Sequence, residues 1–321
     1  MAELYVRPII YGNYGKCVEV TNGTISLVAT VEFGPRIIRF GFTGGDNVFF
    51  EDTERQFKET GGDFSVVGGG EWHIYGGHRL WTSPESVPRT IYPDNGPVRW
   101  RTAGNGIVLT PDTETWTHVQ KEIEVQMNPE SGEVTIHHRI TNTGAWPVTF
   151  APWALSVMAE GGKAIIPQAK RETLVLPNRV LALWPESQMN DHRVYWGERY
   201  ILLQQDETAK PFKFGTNNDE GWAAYFNKGQ LFIKTYLHNI HAVYPDYGVS
   251  FECYTNHLFL ELETLGELKT VAPLETVSHT ETWKLIRNAS LSLDNENELE
   301  SAIRPYLNNE YNNGSEPKNP D

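Results

Sequence analysis

Lys16-Cys17-Val18-Glu19-Val20-Thr21-Asn22-Gly23-Thr24-Ile25-Ser26-Leu27-Val28-Ala29-Thr30-Val31-Glu32-Phe33 sets two β-branched, apolar-rich runs on either side of Asn22-Gly23. An Asn-Gly pair between such runs is the strongest short-range hairpin signal, because both central positions of a type I′ turn need positive φ. The stretch therefore reads as a β-hairpin, and Pro35–Phe42 continues it. Further turn candidates at Asn95-Gly96, Asn105-Gly106, Pro129–Gly132 and Asn227–Gly229 each separate two strand-like runs, which predicts serial antiparallel β-structure.

Two kinds of strand are expected. Between Gln120 and Met127 the apolar residues Ile123, Val125 and Met127 alternate with polar ones, and Val134, Ile136, His138 and Ile140 repeat the pattern across the turn. Such alternation leaves one face wet. Val148–Met158 and Leu258–Leu265 are more continuously apolar, as in strands covered on both faces. The one helix expected is Asp294–Leu307, capped by Asp294 or Asn295, with Leu299, Ile303 and Leu307 at spacing four and Pro305 distorting its end. Strands over about 300 residues exceed an immunoglobulin-sized sandwich, and no internal repeat suggests a propeller. The fold class is all-β: one large antiparallel β-sandwich domain over residues 1–307, followed by a disordered tail at 308–321.

Composition limits the partners. The 321 residues include 27 Lys and Arg against 41 Asp and Glu, a net charge of −14 that disfavours nucleic acid and anionic lipid. Cys17 and Cys253 are the only cysteines, without metal-knuckle spacing, and no run reaches the ~18 apolar residues of a membrane span. A soluble, cytoplasmic protein without nucleic-acid or membrane partners is the expectation. There is no Gly-x-Ser-x-Gly elbow, no Gly-x-Gly-x-x-Gly after an opening strand and no Walker A loop, so no nucleotide cofactor is expected. Nor is a metal: His238-x-x-His241 lacks the glutamate and helix of a zinc motif, and adjacent His137 and His138 point to opposite faces of a strand.

Three segments carry candidate chemistry. Gly68–Glu85 is a glycine-rich loop feeding a polar-aromatic strand, in which His78, Arg79, Trp81 and Glu85 supply the donors, stacking face and acceptor that a polyhydroxylated ligand needs. Trp153 lies in an apolar strand where core packing is its ordinary role, but ten tryptophans are many, and indoles stack on the C–H faces of sugars. In Phe259-Leu260-Glu261-Leu262-Glu263-Thr264-Leu265-Gly266, strand period two puts Glu261 and Glu263 on one face, away from Leu260 and Leu262. If that face lines a cleft, burial and like charge would raise one carboxyl pKa, as suits a general acid or base; if not, it is a solvated face.

The order of segments carries a resemblance: Gly34-Pro35-Arg36, then Gly76–Glu85, the Trp153 strand ending at Glu160-Gly161-Gly162, and Leu260–Gly266 followed by Val277–Leu285. Over most of residues 10–290 the chain resembles the aldose 1-epimerase (galactose mutarotase-like) superfamily, and within it a bacterial branch. The resemblance implies a β-supersandwich with a sugar cleft on one sheet. There a glutamate takes the proton of the anomeric hydroxyl and a histidine protonates the ring oxygen. By motif match Glu263 is the base, with Glu261 the alternative in a register shifted by two. His78 and Arg79 fall where relatives contact sugar hydroxyls or, in a sugar-phosphate branch, a phosphate. Trp153 stands where the catalytic histidine is expected, and an indole cannot donate a proton at neutral pH. Either His78, His73 or His238 has taken the acid role, or catalysis is lost and sugar binding kept. The expected ligand is thus a small-molecule sugar or sugar phosphate. Its catalytic candidates are Glu263, Glu261 and His78, and its binding candidates His73, Arg79, Trp81, Glu85, Trp153, Arg36 and His238.

Overall fold

The computed structural model describes residues 4–308. An eleven-stranded sheet runs in the order Tyr5–Ile10, Lys16–Thr21, Ile25–Thr30, Ile37–Phe42, Gly77–Ser83, Val148–Met158, Leu260–Leu265, Phe251–Thr255, Phe212–Thr216 and Leu181–Leu183, with Lys269–Val271 pairing beside Val148–Phe150. A ten-stranded sheet runs Val194–Trp196, Tyr200–Gln204, Lys163–Pro167, Trp222–Asn227, Gln230–Tyr236, Thr276–Ile286, Glu133–Asn142, Val119–Met127, Gly106–Pro111 and Val98–Ala103. The pairings are antiparallel, as the succession of turn signals predicts.

The hairpin at Asn22-Gly23 forms between Lys16–Thr21 and Ile25–Thr30, but its turn is not type I′. Only Gly23 has positive φ, at 84°. Asn22 instead accepts hydrogen bonds at Oδ1 from the Thr24 and Ile25 amides (3.0 and 2.9 Å). Its Nδ2 donates to the Asn128 and Ser131 carbonyls, both at 2.9 Å. The side chain thus closes its own turn and pins it to the Pro129–Gly132 turn of the opposite sheet, a role that competes with the left-handed conformation.

Between the sheets lies the main core, which includes Leu27, Ile37, Phe40, Phe49, Ile136, Phe214, Phe232, Leu262 and Trp283. Trp283 packs near edge-on against Phe49 (5.4 Å between centroids) and Phe232 (5.8 Å). Strand alternation sends neighbours to opposite sides: Ala164 and Ile166 join this core, whereas Ile165 faces outward to meet Leu299 and Ile303. Those two belong to the helix Glu296–Leu307, whose cap is Asn295, accepting from the Asn297 and Glu298 amides. The helix therefore covers the outer face of the ten-stranded sheet where Ile165, Leu202, Ala224 and Ile233 project. Residues 309–321, which hold nearly all of the expected tail, lie outside the described residues.

The outer face of the eleven-stranded sheet is covered differently. Trp81, Trp153, Leu155 and Val157 project from its central strands and pack with Phe64, Trp72, Ile74 and Phe259. Gly76 and Gly77 launch the Gly77–Ser83 strand, with φ of 104° and 68°. A Cβ on Gly77 would come within 2.2 Å of the Ile37 carbonyl, so only glycine lets this strand enter the sheet beside Ile37–Phe42.

Candidate functional site

The roof formed by residues 57–74 leaves a cleft of about 310 Å³ over the centre of the eleven-stranded sheet. Period-two alternation decides what points into it. From Gly77–Ser83 come Arg79 and Trp81, from Val148–Met158 come Trp153 and Leu155, and from Leu260–Leu265 come Glu261 and Glu263. Lys213, from Phe212–Thr216, completes the floor.

Glu263 is fully buried. Its Oε2 accepts from Trp153 Nε1 at 3.0 Å and from Lys213 Nζ at 3.3 Å, while Oε1 is buried without a hydrogen-bond partner. Burial pushes its carboxyl up to about 7, with Lys213 opposing and Glu261 reinforcing the rise. Lys213 Nζ also lies 2.6 Å from Glu252 Oε2. Burial works against its charged form, but Glu252 and then Glu263 outweigh it and hold the ammonium above the ordinary lysine range. Glu252, buried behind this ammonium, is raised well above the usual carboxylate range by burial. Lys213 Nζ sits over the rings of Trp153 (4.6 Å) and Trp184 (4.7 Å).

Arg79 forms the second charged pair, donating from Nη1 to Glu261 Oε1 at 2.8 Å. Its guanidinium stacks over Trp81 at 4.1 Å and Trp72 at 5.3 Å. Trp72, Trp81 and Trp153 form a run of rings, with successive centroids 5.1 and 5.5 Å apart, and Trp184 stands by Lys213. Glu59, Glu85 and Glu186 line the exposed mouth. Buried ion pairs and an unpaired carboxylate oxygen on an aromatic floor provide positioned donors, an acceptor and stacking faces.

Of the ten residues singled out in the sequence, Glu261, Glu263, Arg79, Trp81, Glu85 and Trp153 line this one cleft. The other four do not line it. Arg36 is buried where Asp94 pairs with its guanidinium, Nη2 meeting Oδ1 at 3.0 Å, and it ties together loop carbonyls at His73 and Ile74. His73 turns away from its neighbour Trp72, toward Glu71 at 3.2 Å. His238 stacks on Tyr244 and bonds Ser250 Oγ at 2.9 Å.

His78 lies in the sandwich interior because it is adjacent to Arg79, and strand neighbours face opposite sides. His138 Nδ1–H donates to the His279 carbonyl at 3.0 Å, which leaves its Nε2 as acceptor. His78 Nε2–H therefore donates to His138 Nε2 at 2.7 Å, and His78 Nδ1 accepts from Ser156 Oγ at 2.9 Å. These tautomers, assigned from the network, require neutral rings. Burial pushes His138 down to about 4 and His279 to about 3, and His78 well below the usual range. Glu281 completes the network, accepting from Lys234 Nζ at 2.9 Å and Trp283 Nε1 at 2.7 Å and from the Thr264 hydroxyl. Ligand atoms of His78, His138 and Glu281 lie within 4.8 Å of one another, but each residue is already engaged in these hydrogen bonds.

Sequence reasoning missed Lys213, Trp72, Trp184 and Glu252. Lys213 gave no distinctive signal: a lysine between Phe212 and Phe214 is ordinary strand alternation, which reads the same whether its face meets water or a cleft. Lys234, its counterpart on the opposite sheet, is instead consumed by Glu281. Cys17 and Cys253 are both buried free thiols, and no described helix is long and apolar enough to cross a membrane.

No family model and no curated protein matches the sequence. Solved structures do match. A TPR-domain containing protein from Parabacteroides distasonis aligns with a TM-score of 0.59 at 11% identity over 87% of this chain, which spans 48% of that protein's length. A protein assigned as an aldose 1-epimerase from Klebsiella pneumoniae aligns with a TM-score of 0.57 at 13% identity, covering 96% of this chain and 88% of that one. A galactose mutarotase-like protein from Clostridium acetobutylicum gives 0.51 at 10% identity, covering 89% and 99%. At such identities the likeness establishes the fold, which is that of galactose mutarotase-like β-sandwiches, as the order of segments implies.

Proposed function

We propose that the cleft binds a sugar, with the pyranose stacked on the Trp72–Trp81–Trp153 wall and its hydroxyls hydrogen-bonded to Glu263, Glu261 and Arg79. The observation that carries this reading is the convergence of four tryptophans with two buried charged pairs on one cavity, whose volume suits a monosaccharide or the end of a glycan. The fold shared with proteins assigned as aldose 1-epimerases and mutarotases supports the ligand class.

A second reading, anomer exchange, is favoured by Glu263 itself. A buried carboxyl with a pKa near 7 and one free oxygen is suited to taking a proton from an anomeric hydroxyl. Among the described residues no histidine lines the cleft to serve as the acid, and Lys213, paired with Glu252 and Glu263 and held above the ordinary lysine range, is a reluctant donor. Binding is thus the primary reading. Saturation-transfer NMR with a panel of aldoses tests it, and exchange spectroscopy on the same samples reads anomer interconversion. Saturation transfer with unaccelerated exchange is the expected result, accelerated exchange makes the protein an epimerase, and no transfer from any aldose overturns both readings.

A further inference from the structure

We infer that the cleft prefers a sugar carrying an ammonium group to its neutral parent, and rejects phosphorylated and acidic sugars. This deepens the sugar-binding reading and rests on it. Among the described residues, five glutamates, Glu59, Glu85, Glu186, Glu261 and Glu263, line the cavity against two cations, Arg79 and Lys213. The charge of each cation is already paired. Arg79 pairs with Glu261 through Nη1 and is sandwiched by indoles, leaving its buried Nε–H to meet a ligand hydroxyl, and Lys213 lies between Glu252 and Glu263. Drawing either away to meet a phosphate would leave a buried carboxylate unpaired, a large cost.

An acceptor, by contrast, stands free. Glu263 Oε1 is fully buried in the cavity wall without a partner, while Oε2 takes both the Trp153 and Lys213 hydrogen bonds. An ammonium offers three donors and the opposite charge to such an oxygen. Glu59, Glu85 and Glu186 are exposed and extend the same sign to the mouth, favouring entry of a cation. The indole walls already receive cations face-on at Lys213 and Arg79, so the aromatic lining is compatible with that charge.

The test is tryptophan-fluorescence titration of the full chain at pH 7 with D-glucose, D-glucosamine, D-glucose 6-phosphate and D-glucuronate and the galacto counterparts. Cyclohexylamine and cyclohexanol serve as a sugar-free pair. Each hexosamine is expected to bind about tenfold more tightly than its parent hexose, the size of one charge-assisted hydrogen bond, and the phosphates and uronates more weakly than the parent. Glu263→Gln should abolish the preference. If that variant does not fold, Glu85→Gln and Glu186→Gln, at exposed positions, should narrow it instead. A 6-phosphate or uronate bound as tightly as the parent, or no gain from the amine, overturns the inference while the sugar reading stands. If no sugar binds, the sugar reading falls, and equal or absent responses to cyclohexylamine and cyclohexanol would overturn the charge preference as well.

Discussion

Trp153 Nε1 donates to Glu263 Oε2 at 3.0 Å across two adjacent strands, so the indole that stands in place of an expected histidine directly holds the candidate base. Trp153→Phe keeps the aromatic wall and deletes that donor. Since a hydrogen bond to the charged form lowers a carboxyl pKa, its loss should raise that of Glu263 further and cost about 1–3 kcal/mol of stability. Urea midpoints and carboxyl NMR titration measure the two effects, and an unchanged Glu263 titration would show that the bond is not formed in solution.

Glu263 should titrate near pH 7, and sugar affinity should rise with pH through that value as its free oxygen gains full charge toward ligand hydroxyls. Glu263→Gln should weaken binding and flatten the pH profile with the fold intact. If the protein proves to exchange anomers, the same variant should lose about 10²–10⁴-fold in rate. The raised pKa also has a stability sign. The folded state keeps this proton where the unfolded state has lost it, so this group's contribution falls as pH rises from about 4.5 to 7.

The buried histidines act in the opposite direction. Their folded pKa values are depressed, so the unfolded state binds more protons, and the stability they contribute is present above about pH 6.5. As pH falls toward 4, each should cost up to about 1.4 kcal/mol per pH unit. Glu281 limits the loss by favouring protonated rings, whereas Lys234 opposes them. Chemical denaturation at pH 7, 6 and 5, compared with the same series on His138→Gln so that the opposing Glu263 slope cancels, measures the share of His138, and identical slopes would contradict the neutral network.

Lys234→Met leaves Glu281 buried without its ammonium and should destabilise by about 3–5 kcal/mol. Lys234→Met combined with Glu281→Gln should recover most of that loss, because the uncompensated charge is gone. A double-mutant cycle in urea shows whether the two effects couple as the 2.9 Å pair requires.

Asn22→Ala removes four hydrogen bonds, two that close its own turn and two that join it to a turn of the opposite sheet. The expected cost is about 2–3 kcal/mol in urea unfolding, and Asn22→Asp, which retains only the acceptor half, should fall between.

What the sequence determined by itself was everything that depends on local periodicity. Turn pairs and runs of β-branched residues gave the antiparallel strands, spacing four and an Asn cap gave the Glu296–Leu307 helix, and period two correctly paired Glu261 with Glu263. The same period held the answer for His78, which as the neighbour of Arg79 had to leave the cleft face. Tertiary structure alone decided which faces meet. It brought Lys213, Trp184 and Glu252 to the neighbourhood of Glu263 from positions 11 to 79 residues away, buried Arg36 against Asp94, and enclosed the three histidines with Glu281 between the sheets. The physical reason is that burial sets the charge state of these groups, and burial is a property of packed sheets. A glutamate in an alternating strand reads alike whether it faces water or an ammonium and an indole; only the opposing layer makes it a group that titrates near neutrality.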